Sequence, residues 1–199
     1  MAESVSFAYK GFHRDRFNEL CEAFSIDTEK EKRKLILNKM SDGNKMRMML
    51  ANVFARDTNV LVLDEPASPL DPVMRDELCN MFRDYIADGN GEKTILFSTH
   101  NIADMEYVTD YAIFMEHGKV IEEGFVEELK DRYCVVRGEM NQFNTVKDHL
   151  LYSTQNATNF EGLCNQVQRN TLIDLDLVIE RPNLQQLSLS VMRYYLHIS

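Results

Sequence analysis

The chain has 199 residues, 44% of them apolar and 27% charged, which is enough apolar material for the core of a globular domain. Its formal net charge of −10 disfavours contact with the polyanionic backbone of nucleic acid, so we expect no nucleic-acid partner. The sequence starts without a signal-peptide pattern and contains no apolar run long enough to cross a bilayer, so we expect a soluble or at most peripheral protein. The cysteines are far apart and form no Cys-x-x-Cys pair, which predicts neither a zinc site nor a disulfide framework and fits a reducing cytoplasm: Cys21, Cys79, Cys134 and Cys164.

Two amphipathic helices are predicted in the first quarter of the chain. Apolar residues at helical spacing mark the first one, over residues 13–24. The second is predicted to begin at residues 41–44, which read Ser-Asp-Gly-Asn. Ser41 or Asp42 would serve as its N-cap, and an apolar stripe continues to Phe54.

Two strands with a helix between them follow. Residues 60–63 read Val-Leu-Val-Leu and predict a strand buried on both faces, which ends in Asp-Glu-Pro. Asp71 and the proline after it predict the start of a helix that breaks at residues 88–91. Residues 94–97 predict a second buried strand, which leads into Ser-Thr-His and a short helix. This alternation implies parallel strands joined by a right-handed crossover.

The rest of the chain has weaker periodicity, especially between residues 138 and 170. His117 and Gly118 have the character of a two-residue hairpin turn. The elements predicted here are a hairpin of residues 111–116 and 119–122, a helix after Gly124 to about residue 133, a strand over 134–136, a possible short helix around 145–151, a strand over 171–180 and an amphipathic helix over 184–195.

Several polar residues lie where strands end or helices begin. Asp64 and Glu65 close the first strand, either as a solvated strand end or as an acidic pair that holds Mg²⁺ near phosphate groups and activates water. Ser41 begins a helix, either as an ordinary cap or as part of an anion site made of free N–H groups. His100 could be a surface histidine or a hydrogen-bond partner of a γ-phosphate, and Asp71 alone is only an N-cap.

Four sequence motifs that contain these residues indicate a protein family more specifically together than any one of them does alone. In chain order the sequence reads Met-Ser-Asp-Gly-Asn, Val-Leu-Val-Leu-Asp-Glu-Pro, Ala-Ser-Pro-Leu-Asp-Pro and Thr-Ile-Leu-Phe-Ser-Thr-His. This order and spacing resembles the ATP-binding-cassette (ABC) ATPases. The roles that the resemblance implies are the signature motif for Ser41, Gly43 and Asn44, the Walker B magnesium ligand for Asp64, the catalytic glutamate for Glu65, the D-loop aspartate for Asp71 and the switch histidine for His100.

The resemblance implies an α/β fold: a partial P-loop NTPase core with parallel strands and flanking helices, part of the helical subdomain, and a small C-terminal α+β extension. The domain boundaries expected from it are residues 1–133 for the partial ATPase domain and 134–199 for the extension. Within the first, residues 1–56 would form the helical subdomain and signature helix, and residues 57–133 the core from Walker B to the switch histidine. Residues 180–184 (Glu-Arg-Pro-Asn-Leu) resemble the closing segment of ATPases that serve multidrug, bacitracin-type or ABC-2-type exporters.

Three departures from the family pattern bear on activity. Asp42 puts a negative charge where a phosphate would bind, and Ala67 and Pro69 replace the Thr and Gly that are common around the D-loop. No Gly-x-x-x-x-Gly-Lys-Ser/Thr sequence exists in the chain, and no glutamine precedes Gln142, so neither a phosphate-binding loop nor a Q-loop is identified. Met1 would therefore lie inside the helical subdomain of a truncated or split ATPase.

Three functions remain open at this point. The first is the ATP-binding subunit of an ABC exporter, with catalytic residues retained, its own affinity for ATP largely lost, and ATP and Mg²⁺ bound only in a completed composite site. The second is a non-catalytic partner that donates Ser41 and Gly43 in trans to a complete ABC ATPase. Either would pair head to tail with an ABC ATPase subunit, contact a transmembrane permease and lie in the cytoplasm at the inner face of the membrane. A genome-maintenance ATPase ranks last, since no coiled-coil heptads precede the signature.

Overall fold

Two short strands organise the first half of the chain: β1 (Val60–Asp64) and β2 (Thr94–Ser98). They pair in parallel, with Val60 opposite Thr94 and Asp64 opposite Ser98. The computed structural model describes residues 9, 11–26 and 40–198, and these strands belong to a unit that ends at Val108. The parallel pairing confirms the predicted α/β core. Residues 1–8, 10 and 27–39 of the predicted helical subdomain lie outside the described residues.

Two helices of this unit, those that follow Ser41 and Asp71, begin at the predicted capping residues. Ser41 accepts a hydrogen bond from the backbone N–H of Asn44, and Asp71 accepts one from that of Met74, so both side chains satisfy a free donor of a first helical turn. The helices are α1 (Arg14–Ala23), α2 (Asp42–Phe54), α3 (Pro72–Ala87) and α4 (Ile102–Met105), which a 3₁₀ turn (Glu106–Val108) extends.

The β1 strand buries only one of its faces. Leu61 and Leu63 are 3% and 5% exposed, whereas Val60 and Val62 are 59% and 71% exposed. On β2, Leu96 is also 57% exposed, and it lies opposite Val62 in the parallel register. The prediction that β1 is buried on both faces is therefore wrong, and β2, which was predicted to be buried, is also exposed on one face, because the core packs on one face only. On that face the ring of Phe97 packs against the ring of Phe82 on α3, with centroids 5.6 Å apart.

A second unit, from Thr109 onward, begins with an antiparallel hairpin of β3 (Tyr111–Glu116) and β4 (Lys119–Phe125). His117 and Gly118 form its turn with φ angles of 48° and 74°, the positive values that a tight hairpin turn needs. The predicted hairpin is confirmed. Helix α5 (Val126–Arg132) follows, as predicted from the break at Gly124.

The rest of the second unit is a four-stranded antiparallel sheet with helices packed against it. The elements are β5 (Tyr133–Glu139), α6 (Met140–Val146), a 3₁₀ turn (Lys147–His149), β6 (Tyr152–Gln155), β7 (Asn159–Asn165), α7 (Gln166–Leu172), β8 (Val178–Glu180) and α8 (Leu184–Ile198). The strand order in the sheet is β6-β7-β5-β8. Helices α6 and α7 alternate with the strands in the order β-α-β-β-α-β of a split βαβ, or ferredoxin-like, arrangement. The last helix, α8, packs against β6 and β7.

Two predictions for this unit need correction. The strand predicted over residues 171–180 is wrong in its first part, because Thr171 and Leu172 end helix α7 and only residues 178–180 form a strand. Asn165 and Gln168 form a reciprocal capping box that starts this helix. The helix predicted around residues 145–151 lies earlier, and the region from 138 to 170 holds two further strands.

The compact units divide at Val108, whereas the predicted boundary at residues 133/134 falls within the second unit, between α5 and β5. The domain boundary at residues 133/134 stays a prediction. None of the helices formed by the described residues is both long and apolar enough to span a bilayer.

Candidate functional site

The carboxyl ends of β1 and β2 bring two of the predicted site residues next to a serine. Asp64 ends β1 and lies opposite Ser98, the last residue of β2. The Ser98 hydroxyl donates a hydrogen bond to Asp64 Oδ1, and the backbone N–H of Glu65 donates to the Ser98 carbonyl oxygen over 3.1 Å. Ser98 therefore orients the Asp64 carboxylate. The sequence analysis did not identify this residue, although it lies within the Phe-Ser-Thr-His motif.

Glu65 and His100 are in direct contact. The backbone N–H of His100 donates to Glu65 Oε1 over 3.0 Å, and His100 Nδ1 lies 2.7 Å from the same oxygen. Because a carboxylate oxygen only accepts, Nδ1 carries the proton in this contact and Nε2 is left for another partner. The imidazole is 69% exposed, and the Glu65 side chain is 34% exposed. The structure thus brings together the two residues to which the sequence assigned catalysis.

Glu65 has two unusual features for a strand-end glutamate. Its φ of 48° places it in the left-handed region, which non-glycine residues seldom occupy and which is often found at functional sites. Its second carboxylate oxygen, Oε2, is buried and has no hydrogen-bond partner among the described residues. A buried carboxylate oxygen without a donor is unfavourable, so this atom is a place for an ordered water or ligand proton.

Asp71 is held by two donors. It accepts from the Met74 backbone N–H over 3.1 Å and from Arg47 Nη2 of α2 over 2.6 Å. The hydrogen bond from Met74, together with the positive charge of Arg47, lowers the pKa of Asp71 below its ordinary value of 3.8. Asp71 is therefore ionised at neutral pH, and its role as N-cap is confirmed, whereas the D-loop role stays a prediction.

The start of α2 packs against the loop that leads to Asp71. A Cβ on Gly43 would lie 3.0 Å from the carbonyl oxygen of Pro69, so this close approach favours glycine. Ser41 Oγ accepts from the Asn44 N–H over 3.3 Å and satisfies one donor that an anion would otherwise use.

The charge of Asp42, which the sequence analysis treats as repulsive to phosphate, has a partner. Lys45 Nζ donates to Asp42 Oδ1 over 2.8 Å, and this contact lowers the pKa of the Asp42 carboxyl. The negative charge therefore persists at neutral pH, but a lysine of the same helical turn offsets it.

The predicted residues thus form two groups. Asp64, Glu65 and His100 lie at the strand ends, and the turn of Ser41, Gly43 and Asn44 lies near Asp71 through Gly43 and Arg47. Among the described residues, no hydrogen bond or ion pair joins the two groups directly.

Arg75 fixes the loop between the two groups, and no motif signalled it. Its Nε donates to the carbonyl oxygens of Ala67 and Leu70, over 3.2 and 2.9 Å. Its Nη1 donates to Asp104 Oδ2 over 2.6 Å, on the helix that follows His100. One guanidinium therefore ties the loop between Glu65 and Asp71 to α3 and α4. Such contacts depend on tertiary structure, which explains why the sequence did not reveal them.

The chemistry of the strand-end group fits a magnesium ion that takes most of its ligands from water and phosphate. Mg²⁺ is usually held by one or two carboxylates together with substrate oxygens rather than by a cage of protein ligands. Asp64 offers an exposed, oriented carboxylate, and Ser98 lies beside it. The described residues contain no cluster of three His, Cys, Asp or Glu side chains able to hold a metal by themselves.

Comparisons with known proteins relate part of the chain to ABC transporter proteins. Residues 9–68 match the family model described as ABC transporter. An energy-coupling factor transporter ATP-binding protein of Lactobacillus delbrueckii subsp. bulgaricus is 37% identical over 90 residues, which cover 45% of this chain and 30% of that protein. A nickel import ATP-binding protein of Rhodobacter capsulatus is 32% identical over 100 residues, which cover 50% of this chain and 39% of that protein.

A solved structure named as a cobalt transport ATP-binding protein shares the fold, with a TM-score of 0.53 and 20% identity over 94% of this chain and 61% of that one. The chain spans between 30% and 39% of the length of the two relatives described above. The matched segment includes Asp64 and Glu65 and the whole of α2. Residues 9–68 are thus similar to the ABC transporter family model, and the chain shares its fold with a solved ATP-binding protein.

Proposed function

We propose that the chain is part of the ATP-binding subunit of an ABC transporter, and that Asp64, Glu65 and His100 act together on bound Mg-ATP. The observation that carries the proposal is the contact between Glu65 Oε1 and His100 at the ends of two parallel strands, with Glu65 Oε2 buried and unpaired. Ligands of open α/β sheets bind outside the carboxyl ends of the strands, which is where this group lies.

Each residue has a separate task in this proposal. Asp64, oriented by Ser98, would hold the magnesium ion, which neutralises charge on the phosphates when bound. Glu65 Oε2 would accept a proton from the attacking water. His100 donates its Nδ1 proton to Glu65, and its exposed Nε2 side is free to contact the γ-phosphate. The same hydrogen bond fixes the orientation of the glutamate relative to the imidazole.

The phosphates themselves would be held by a loop that this sequence does not contain. A phosphate-binding loop outside these residues would complete the site, an ABC ATPase subunit would pair with it head to tail, and the assembly would serve a transmembrane permease at the inner face of the membrane. Val60, Val62 and Leu96 form an exposed apolar face on β1 and β2, which we call the bare face. This face supports such pairing, since parallel sheets are normally covered on both faces.

Hydrolysis would be coupled to transport across the membrane. Residues 180–184 favour an exporter, but the names of the relatives do not support export, because they describe an energy-coupling factor transporter and nickel import. We therefore propose transport coupled to hydrolysis, and a transport assay would determine whether the substrate is imported or exported.

Calorimetric titration with Mg-ATP tests the proposal. The purified chain alone is expected to show no saturable binding in the micromolar range, whereas the complex isolated through a tag on this chain binds and hydrolyses ATP. Asp64→Asn is expected to weaken the magnesium-dependent part of that binding. Micromolar affinity of the isolated chain would refute the claim that a phosphate-binding loop outside these residues holds the phosphates, and a complex unable to hydrolyse ATP would refute the catalytic claim.

The alternative is a non-catalytic partner that donates Ser41 and Gly43 in trans. The first turn of α2 is exposed at Ser41, Asp42 and Asn44, and Lys45 offsets the charge of Asp42, so this turn can face a phosphate of another subunit. Ser41→Arg and Glu65→Gln separate the two functions. If the chain only donates its signature turn, Ser41→Arg lowers the hydrolysis rate of the complex while Glu65→Gln leaves that rate unchanged.

A further inference from the structure

Two cysteines that are 30 positions apart in the sequence face each other inside the second unit. Cys134 on β5 and Cys164 on β7 are directly opposite partners in the antiparallel register. Their Sγ atoms are 2.6 Å apart, and the two residues are 2% and 0% exposed. Directly opposite residues of antiparallel strands have Cα atoms about 4.5–5.5 Å apart, within the range of about 4.4–6.8 Å that a disulfide spans. The pair therefore already has the backbone geometry of a cross-strand disulfide.

We propose that Cys134 and Cys164 form a redox-modification site, at which a small-molecule disulfide such as oxidised glutathione converts the two thiols into an intramolecular disulfide. The thiolate of one cysteine attacks the small disulfide, a mixed disulfide forms, and the first small thiol leaves with a proton. The second cysteine then loses its proton and attacks the protein sulfur of the mixed disulfide, which releases the second small thiol. Two protein thiols are oxidised and one small disulfide is reduced to two thiols.

The surroundings of the pair make this modification slow and specific. Both side chains belong to the apolar cluster on the α6 and α7 side of the sheet, with Phe160 and Leu172. A reagent reaches them only when this part of the unit opens locally, so the reaction rate follows that opening. A hydrogen bond from Cys164 lowers the pKa of the Cys134 thiol, and the same contact together with burial raises the pKa of Cys164, so Cys134 is the first nucleophile.

The bond would join β5 and β7, the two central strands of the antiparallel sheet. It closes a loop that contains α6 and β6, and such a closure restricts the unfolded chain more than the folded one. In a reducing compartment the bond would be transient, as redox-sensing disulfides are. The remaining cysteines lie elsewhere: Cys21 and Cys79 are in the first unit, and Cys79 Sγ donates to the Asp104 carbonyl oxygen. The proposal is independent of the proposed function.

The test uses the purified full-length chain, incubated with oxidised glutathione under native conditions for increasing times and then alkylated after denaturation. We expect the oxidised chain to carry two fewer alkyl groups than the untreated chain and a proteolytic map to join the peptides of Cys134 and Cys164, and a reducing agent added before alkylation should reverse both changes. The oxidised form is expected to melt about 5–10 °C higher than the reduced form.

Cys134→Ala and Cys164→Ala are expected to abolish the cross-linked peptide, while Cys79→Ala retains it. The wild-type peptide map alone decides the question if the alanine variants do not fold. Two thiols that remain fully alkylatable after incubation, stable glutathione adducts without a cross-link, or a bond that involves Cys21 or Cys79 would each overturn the proposal.

Discussion

Parallel sheets are normally covered on both faces, whereas antiparallel sheets often leave one face to solvent. The parallel pair and the four-stranded antiparallel sheet of this protein show the reverse. The parallel pair of β1 and β2 leaves Val60, Val62 and Leu96 exposed on one face. The antiparallel strand β5 instead buries Val135 and Val136, two neighbours that point to opposite faces. The second sheet is thus covered by the helices of its own unit, and the first is covered on one side only.

This difference locates where we expect the first unit to meet another polypeptide. Asp64 and Ser98 lie on the same strand face as Val62 and Leu96, because they are two residues further along each strand. A protein surface that covers the bare face therefore also approaches the Asp64 carboxylate. The second unit offers no such face on β5, so we expect nucleotide chemistry to depend on the first unit alone.

The largest effect that follows from this contrast is on hydrolysis. Glu65→Gln in the complex purified through a tag on this chain is expected to lower the ATP hydrolysis rate by about 10²–10⁴-fold, because an amide cannot accept the proton of the attacking water. Glu128→Gln, an exposed change on α5 of the second unit, serves as the control and should leave the rate unchanged. A Glu65→Gln complex that hydrolyses ATP at the wild-type rate would contradict the assignment of nucleotide chemistry to the first unit.

Neighbouring residues of β1 should differ sharply in their contribution to stability. Leu61→Ala is expected to lower the free energy of unfolding by about 2–5 kcal/mol, because Leu61 is 3% exposed and its removal leaves a cavity. Val62→Ala should change it by less than about 0.5 kcal/mol, since Val62 is 71% exposed. Urea denaturation measures both values. Equal losses would mean that the bare face is covered within the isolated chain.

Neighbouring residues of β5 should instead contribute equally to the free energy of unfolding. Val135→Ala and Val136→Ala are each expected to cost about 1.5–3 kcal/mol, because the two residues are 2% and 0% exposed on opposite faces of the sheet. The same denaturation experiment applies. A loss confined to one of the two variants would show that the second sheet is also covered on one side only.

The smallest effect concerns the ion pair of Asp71 and Arg47 in the first unit. Asp71→Asn keeps an N-cap oxygen but removes the charge, so Tm is expected to fall by about 1–3 °C at pH 7. The pKa of Asp71 is depressed in the folded state, so its stabilising charge is present above pH 3.8 and is lost as the pH falls through the folded-state pKa. The Tm difference between wild type and variant should therefore shrink on acidification, and thermal melts followed by circular dichroism at several pH values measure it.

Asp76→Asn, on the same helix, is the control for this experiment. A Tm difference for Asp71→Asn that does not change with pH would contradict the assignment of a stabilising charge to Asp71.

The sequence predicted the first unit better than the second for physical reasons. Ser41 and Asp71 are strong helix-capping residues, and one long amphipathic helix separates the two strands, so local signals agree with the final fold. Strand burial was predicted wrongly because an apolar run does not say how many faces are covered. Arg47, Arg75 and Ser98 were missed because their partners are distant in sequence.

The second unit lacks such local signals. Strand β7 buries Leu163 and Cys164 in succession and includes Gly162, so the alternation that marks a strand is absent. A signal was available at Asn165 and Gln168, whose spacing is that of a capping box, and it would have placed α7. The pairing of Cys134 with Cys164 follows from strand register, which the sequence alone does not supply.

The most direct test of the central claim is a double-mutant cycle of Glu65→Gln and His100→Ala on single-turnover ATP hydrolysis by the complex that contains this chain. Because the two side chains share one hydrogen bond, the account predicts that the double variant is hardly slower than the slower single variant. Rate losses that multiply would contradict it, since they would show that Glu65 and His100 act independently.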